Sequence, residues 1–333
     1  MALIGIEGFD HWRNGDQSPF DNGATISSVG TGAATRFNYG QSAILNISGE
    51  WNLANQAIVI QGAAARATVA TVFDFFSLAD GGTIQVQLQT DYTNRRILIW
   101  RGPSTTGVLL GQTPNAILPN LNEWCYIEWK VTIDNAIGSV VVRVDDIEVL
   151  NLSGIDTQAT ANARATVARL NSGQTQDDYY CCDGSGAAPF NDFLGNSRIY
   201  TEYPTANDTV QWTPTAGSNF QNVDDPGDID GDTTTNTSAT TGQKDLFSVT
   251  GDIPAGATVK AVEMRTTMRK DDATARQCRA RIKSGATEAP LATRTLTTGY
   301  LHYRDTMPVD PTDAGAWTSA KVNALKIGYE VVS

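Results

Sequence analysis

The densest group of potentially reactive side chains lies in "DDYYCCDGSGAAPFNDFLGNSRIY", residues 177–200. It holds two adjacent cysteines and four aspartates among aromatic residues and glycines. Thiolates and carboxylates serve metal sites, redox centres and catalytic carboxylate pairs, so the composition fits all three. It equally fits a strand followed by a turn, because Asp and Gly are common turn residues. The remaining sequence has to separate these alternatives.

The cysteines argue against structural zinc and against a disulfide scaffold, since the chain has only four and none in a Cys-x-x-Cys pair. Neighbouring residues of a strand point to opposite faces, so Cys181 and Cys182 are poorly placed to bridge each other. A disulfide from Cys125 to one of the pair stays open at this level. So does a thiol at a subunit interface, for any of the four including Cys278. Burial as a small apolar side chain is the expected default.

A weak calcium candidate is formed by Asp228, Asp230 and Asp232, which repeat the Asp-x-Asp-x-Asp spacing of loops that bind calcium through oxygen ligands. The match stops there, because Thr233 stands where such a loop needs glycine and Ala239 where it needs a bidentate Glu. The alternative is an acidic loop with Asx-turns, facing solvent. No other cofactor is expected.

Catalysis has little support in the sequence. A serine or cysteine triad would need His11 or His302 as its base, and neither lies in a recognisable signature. The paired acids of glycoside hydrolases are approximated only by "VDDIEV" and "VFDFF", without the required spacing. We therefore predict that the protein is not an enzyme, with a polysaccharide depolymerase as the alternative of that class.

The elements that position these residues are predicted to be almost all strands. "CYIEWKVTI", residues 125–133, alternates polar and apolar side chains as a strand buried on one face does. "SVVVRVDDIEVLNL", residues 139–152, predicts a hairpin that turns at Asp145-Asp146. Helical signals are confined to residues 157–170, which are Ala-rich and are either a helix or a loop, and to residues 319–325.

Residues 177–200 are predicted to contribute local structure. We expect residues 179–182 to form a late strand, "DGSGAAPFND" a turn and "FLGNSRIY" the strand that closes the domain. The aspartates would then form turns or pair with basic side chains.

The strands and turns predict an all-β chain of two domains. A sandwich or jelly roll would occupy residues 1–203, and a smaller β-sandwich for docking or oligomerisation would occupy residues 204–333. Within the second domain, acids cluster between Asp224 and Asp252 and bases between Lys260 and Lys283. Such polarity is consistent with ion pairing, within one subunit or between neighbours, and equally with two separately solvated faces.

The overall charge and hydropathy exclude two classes of partner. A formal charge of −12 opposes nonspecific binding to nucleic acid, which is itself a polyanion. A run of about 18 apolar residues, the length that spans a bilayer, is not found, so no membrane insertion is expected. The amino terminus lacks the basic start and cleavage site of a secretory signal, which favours synthesis in the cytoplasm.

Several motifs resemble known families. "GFDHW", "ATRFNYGQSAIL" and "EWCYIEWKVTIDNAIGSVVVRVDDIEVL" resemble concanavalin A-like, laminin-G-like jelly rolls, with Asp146 in place of the usual turn glycine. Residues 177–200, followed by "QWTPTAGSNFQNVDD", "DGDTT", "RKDDATARQCRARIKSG" and "DPTDAGAWTSAKVNALKIGYEVV", resemble bacteriophage virion proteins of the tail, fibre or head-decoration type.

The resemblance implies a non-enzymatic structural component of a tailed phage particle, made in the host bacterium and located on the virion. Its expected partners are other virion proteins and further copies of the same chain. The alternative implied by the jelly roll is a module that binds a host surface glycan during adsorption.

Overall fold

The computed structural model describes residues 3–10, 12, 22–23, 26–31, 35–38, 40–45, 48–225 and 230–333. The chain forms two compact units, Met1–Ile199 and Tyr200–Ser333. Strands dominate both units, which confirms the predicted all-β class. The sequence-based boundary after residue 203 lies four residues beyond the division seen in the structure.

The first unit is a sandwich of two antiparallel sheets. The first sheet has the spatial order β13-β12-β11-β6-β15-β4-β3, with β1 also paired to β15. Its strands are β1 (Leu3–Glu7), β3 (Ile26–Thr31), β4 (Gln41–Leu45), β6 (Ile58–Arg66), β11 (Cys125–Thr132), β12 (Gly138–Val144), β13 (Ile147–Ile155) and β15 (Thr175–Cys182).

The second sheet faces the first across the core and has the order β10-β9-β8-β7-β14-β5-β2. Its strands are β2 (Asn22–Gly23), β5 (Gly49–Gln56), β7 (Val72–Asp80), β8 (Thr83–Asp91), β9 (Arg96–Arg101), β10 (Val108–Gln112) and β14 (Ala165–Leu170). A short 3-10 turn, Arg36–Asn38, precedes β4.

Alternation along the strands builds the core between the two sheets. In β11, Ile127, Trp129 and Val131 are fully buried in the core cluster, while the residues between them point to the other face. The Trp129 ring stacks on Phe76 of the second sheet with centroids 5.8 Å apart. Each such fully buried side chain stabilises the fold by roughly 1.5–3 kcal/mol.

The predicted strand and hairpin are confirmed as β11, β12 and β13. The turn between β12 and β13 has φ of 49° at Asp145 and 67° at Asp146. Two successive positive φ angles are typical of a type I′ turn, which matches the twist of the strands and accepts Asp as well as glycine. This geometry explains how Asp146 replaces the expected glycine.

The helical signal in residues 157–170 is wrong. Residues 157–164 form a loop, and the alanines that follow belong to strand β14 between β5 and β7. Ala165 and Ala168 are fully buried in the core cluster, so small side chains are needed there for packing. Tertiary contacts therefore override the helical propensity of alanine.

The second unit is a smaller two-layer β structure. Its main sheet has the order β16-β19-β24-β21-β22, formed by β16 (Pro204–Thr209), β19 (Lys244–Val249), β21 (Gln277–Ser284), β22 (Thr287–Thr295) and β24 (Lys326–Val331). Two pairs of strands complete it, β17 (Thr213–Pro214) with β18 (Asn236–Thr237), and β20 (Val262–Met268) with β23 (Leu301–Met307). A 3-10 turn spans Asn219–Asn222.

Helix α1 (Ser319–Asn323) confirms the helix predicted near the end of the chain. Thr318 caps it, because its side chain accepts a hydrogen bond from the amide of Lys321. Val322 of the helix joins Ile282 of the sheet and Met307 of the β20–β23 pair in one buried cluster. Among the described residues, no helix is long and apolar enough to cross a membrane.

The basic strand of the second unit finds its acids mainly outside the predicted acidic stretch. Arg279 and Arg281 both pair with Glu330, at 2.9 and 2.6 Å. One pair does join the two stretches, since Arg269 lies 2.8 Å from Asp232. Pairing within one subunit, one of the predicted alternatives, is therefore observed.

Candidate functional site

The stretch at residues 177–200 begins as predicted, with residues 179–182 inside β15. The closing strand predicted for "FLGNSRIY" is wrong. Residues 183–199, here called the strap, are irregular and lie over the outward face of the first sheet. The amides of Leu194, Gly195 and Ile199 donate to side chains of that sheet instead of to a neighbouring strand. Side chains thus satisfy a backbone that would otherwise need strand pairing.

Glu128 is the central acceptor beneath the strap. It is fully buried, and its Oε1 accepts from Tyr180 Oη and from the Gly195 amide, the latter at 2.8 Å. Burial raises the pKa of Glu128. Gly62 of β6 lies between Glu128 of β11 and Tyr180 of β15. A Cβ at position 62 would lie 2.2 Å from the Tyr180 ring, so only glycine lets the ring reach Glu128.

A buried ion pair anchors the end of the strap. Arg36 donates to Asp178 at 2.7 Å and to the carbonyl of Ser197 at 2.9 Å. Asp178 in turn accepts the amide of Ile199 at 2.7 Å. Burial raises the pKa of Asp178 despite the neighbouring Arg36, and burial and Asp178 together raise the pKa of Asp177. Asp177 and Asp178 therefore have a structural role, and the strap covers this part of the first sheet.

The four cysteines, Cys125, Cys181, Cys182 and Cys278, are buried free thiols. The predicted alternative of a bridge from Cys125 to the adjacent pair is wrong. Cys125 pairs with Ala65 of β6, whereas Cys181 pairs with Gln61 on the other side of that strand. Four residues along a strand and two strands across separate their Cα atoms by about 16 Å. A disulfide needs roughly 4.4–6.8 Å.

The aspartates of the calcium candidate bind groups of the chain itself. Asp230 accepts from the amide and hydroxyl of Thr234, and Asp232 accepts from Arg269 and Tyr300. Asp228 lies outside the described residues. Among the described residues, no group of three acidic, cysteine or histidine side chains is placed to hold a metal ion.

One described contact brings a histidine next to a hydroxyl group. His302 lies in β23, with its Nδ1 2.8 Å from the hydroxyl of Thr267 in the paired strand. His11 is outside the described residues.

The open face of the sandwich belongs to the second sheet, where a cleft of about 480 Å³ lies. Its lining comes from four separate segments: Ser48, Glu50, Asp74, Ile84, Gln87, Arg169 and Asn171. Most of these residues are polar, although they lie on strands whose alternate positions fill the core. Volumes of this size are typical of ligand-binding clefts.

Strand register places three cleft residues, Gln87, Arg169 and Glu50, in one row across the sheet with two residues outside the cleft lining. Consecutive cross-strand pairs run from β9 through β8, β7 and β14 to β5. The members of the row are Trp100, Gln87, Ser77, Arg169 and Glu50. Four steps between neighbouring strands give the row a length of about 19 Å. The site is thus an elongated strip that crosses the strands.

Hydrogen bonds hold the polar side chains of the strip in place. Arg169 Nε donates to Glu50 Oε1 at 2.7 Å. Asp74 Oδ1 accepts from Gln89 at 3.1 Å and from the Ser104 hydroxyl at 2.9 Å. The Ser104 amide donates to Gln87 Oε1 at 2.7 Å. Fixed side chains lose little further conformational freedom when a ligand binds.

Each of these side chains keeps further hydrogen-bonding capacity. Within the described part of the chain, Glu50 Oε2 and Asp74 Oδ2 accept no hydrogen bond, and the side-chain nitrogens of Gln87 and the terminal nitrogens of Arg169 donate none. Free hydrogen-bond acceptors and free donors therefore alternate along the cleft.

Trp100 lies at one end of the row, beside Gln87, and is partly exposed. Its indole N–H has no hydrogen-bond partner among the described residues. An aromatic ring next to fixed polar groups offers a flat apolar surface.

None of the cleft residues was among the sequence-predicted sites. The nearest signal is "TIQVQLQTD", in which three glutamines alternate with apolar residues. Gln85 and Gln87 are buried although they are polar, so they must be hydrogen-bonded by structure around them. The role of Gln85 and Gln87 depends on strands that are distant from them in sequence.

No protein-family description and no curated protein matches the chain. Part of the chain is similar in fold to the alginate lyase Aly36B, with 10% identity over 46% of this chain and 78% of that one, at a TM-score of 0.32. It is similar to the carbohydrate-binding module CBM66 from Bacillus subtilis, with 9% identity over 48% and 96% of the two chains and a TM-score of 0.31.

Domain 4 of AbnA, a GH43 extracellular arabinanase from Geobacillus stearothermophilus, is also similar. Here the identity is 14% over 55% of this chain and 92% of that one, and the TM-score is 0.34. These similarities concern the fold alone.

Proposed function

We propose that the first unit binds a glycan in the cleft on the outward face of its second sheet. The observation that carries the proposal is the row of fixed polar side chains with free donors and acceptors, ending at a partly exposed Trp100. Sugar hydroxyls donate and accept at once, so they suit a surface where free carboxylate oxygens alternate with free amide and guanidinium N–H groups.

The shape of the cleft supports an oligosaccharide over a compact ligand. A strip of about 19 Å accommodates several sugar units in succession. The apolar faces of sugar rings pack on aromatic side chains, and Trp100 supplies such a surface at one end. On the opposite face of the sandwich, the strap covers the part of the first sheet around Glu128.

Two substitutions test the proposal, with binding to a panel of bacterial-envelope and plant oligosaccharides measured by glycan array and calorimetry. Gln87→Ala and Arg169→Ala each remove free donors. Hydrogen bonds to charged groups are worth about 1.5–3 kcal/mol, so we expect Arg169→Ala to weaken binding by about tenfold to a hundredfold.

Lys130→Ala is the matched control, because it removes a positive charge from the first sheet, where Lys130 contacts Asp192. We expect it to bind as the wild type does. Failure of the wild type to bind any glycan, or equal binding by all variants, would refute the proposal. Release of reducing ends from a bound polysaccharide would identify the depolymerase alternative instead of a binding module.

We further propose, from the resemblance to virion proteins, that this binding serves adsorption of a phage particle to its host. Mass spectrometry of purified particles tests the location. Detection of the chain in particles, together with slower adsorption of particles that carry Arg169→Ala, would support this role. Its absence from particles would leave the glycan-binding proposal standing without the virion role.

A further inference from the structure

We infer that the cleft selects an uncharged oligosaccharide and rejects glycans that carry uronate, sialate or sulfate groups. This inference rests on the proposed function and narrows its ligand class. It follows from the distribution of charge and of free hydrogen-bonding atoms in and around the cleft.

Among the described residues, the cleft lining contains more negative than positive charge. Its described charged residues are Glu50, Asp74 and Arg169, two carboxylates against one guanidinium. This guanidinium is already neutralised, since Arg169 and Glu50 lie 2.7 Å apart with 16% and 25% of their side chains exposed. Asp74 is left as the unbalanced charge. An anionic sugar would therefore meet a site whose net charge has the same sign.

Two further described arginines, on the second sheet and the loop before β14, are already paired with acids. Arg96, at the start of β9, lies 2.9 Å from Asp91. Arg164, just before β14, lies 3.3 Å from Asp80, which also accepts from Asn162. Recruiting either arginine to a ligand carboxylate would require breaking an existing ion pair and leaving its acid without a partner.

The free atoms of the two cleft carboxylates specify the ligand chemistry more closely. Glu50 Oε2 and Asp74 Oδ2 are pure acceptors when ionised, so each needs an O–H or N–H donor from the ligand. A neutral sugar carries a hydroxyl donor at nearly every ring position. A carboxylate or sulfate ester replaces such a donor with an acceptor and adds like-charge repulsion.

The whole chain adds to this discrimination at longer range. Its formal charge of −12 repels anionic polymers before contact, over a distance of about 10 Å at 0.1 M salt. Binding of a neutral glycan has no net ionic term and is therefore expected to be nearly independent of salt. Binding of an acidic glycan would depend on salt strongly.

The test compares size-matched neutral oligosaccharides, from dextran, galactan and mannan, with acidic ones, from alginate, polygalacturonate and hyaluronan. Affinities of the wild type are measured by calorimetry at about 0.05 M and 0.5 M NaCl. We expect at least one neutral series to bind with less than about a twofold change between the two salt concentrations, and the acidic series to bind at least about tenfold more weakly.

Asp74→Asn gives an internal check, because it removes the unbalanced charge while keeping an acceptor at the same position. We expect it to raise the affinity for acidic relative to neutral oligosaccharides. Glu148→Gln, at an exposed position on β13, is the matched control and should change neither.

The possible results distinguish the neutral-ligand inference from the glycan-binding proposal. Tighter binding of an acidic series, lost in Arg169→Ala, would overturn the neutral-ligand inference and leave the glycan-binding proposal intact. Binding to none of the series would overturn both.

Discussion

Glu128 shows how a carboxyl group can be built into a sandwich as a structural part. It accepts hydrogen bonds from Tyr180 and from the strap amide of Gly195, and no solvent reaches it. Its Oε2 has no partner among the described residues. Ionisation would leave a buried charge only partly compensated, and for that reason burial raises the pKa of this group.

Glu128→Gln is predicted to flatten the pH dependence of stability. Because the folded-state pKa of Glu128 is raised, its contribution to stability is full below the ordinary value near 4.5 and is lost as pH rises through the folded pKa. Relative to the variant, the wild type should lose about 1.4 kcal/mol of unfolding free energy for each unit by which its pKa is raised. Urea denaturation at several pH values between about 4 and 8 measures this difference.

The exposed Glu148→Gln serves as the control, since the Glu148 side chain accepts a hydrogen bond from the nearby Asn151 and is not buried. A pH profile of Glu128→Gln that runs parallel to the wild type would contradict the assignment of a raised pKa to Glu128.

At the scale of elements, the loop of residues 157–164 depends on one side chain of β8. Gln85 is fully buried and lies within hydrogen-bond distance of five atoms of this loop. Its Oε1 accepts the amides of Ala159 and Thr160, and its Nε2 faces the carbonyls of Asn162 and Arg164. The loop leads directly into β14, which carries Arg169 of the cleft.

Gln85→Ala is predicted to lower the free energy of unfolding by about 1–3 kcal/mol, because it leaves buried backbone groups of the loop without partners. Hydrogen exchange should accelerate at Ala159 and Thr160 before the core strands respond. Gln56→Ala is the control, since the Gln56 side chain donates to the nearby carbonyl of Ala54. Unchanged exchange at the two loop amides would show that Gln85 does not hold the loop.

Sequence patterns predicted those elements that depend on interactions between residues close in sequence. The alternation in β11, the Asp145-Asp146 turn and the capped helix α1 each depend on neighbouring residues, and each is confirmed. The strand β14 and the irregular end of the strap, residues 193–199, depend on partners far along the chain, and both were predicted wrongly. An Ala-rich segment resembles a helix until β5 and β7 flank it, and an apolar segment resembles a strand until side chains take its amides.

The cleft could not be located from sequence for the same reason. Glu50 and Arg169 are 119 residues apart and meet only through the register of β5 with β14. Along its own strand, each looks like an ordinary polar residue on an outward face. Alternation of polar and apolar residues indicates which side chains point outward. It does not identify which outward positions become neighbours on adjacent strands.

At the scale of the whole molecule, the two units use their acids differently. In the second unit the hydrogen bonds and charges of Arg279 and Arg281 outweigh burial and hold the pKa of Glu330 below its usual value. The hydrogen bond from Lys244 lowers the pKa of Glu288. The first unit instead contains buried acids with raised pKa values, Glu128 among them, beside several with lowered values.

Acidification is therefore predicted to destabilise the second unit more than the first. A lowered folded-state pKa contributes stability above the ordinary value, which is lost as pH falls through the folded pKa. Raised values in the first unit act in the opposite direction. Between pH 7 and about pH 4, calorimetry with hydrogen exchange in parallel should show a larger fall in the melting temperature of the second unit. A larger fall for the first unit would contradict this.

The alternation of inward and outward side chains along β5, β8 and β14 makes the molecule readily adaptable. Core positions and cleft positions occupy the same strands yet share no side chains, so one set can vary while the other is preserved. Descendants of this sequence could acquire new ligand preferences through a few outward substitutions, with the hydrophobic interior untouched. The same separation makes the second sheet a suitable scaffold for engineered lectins.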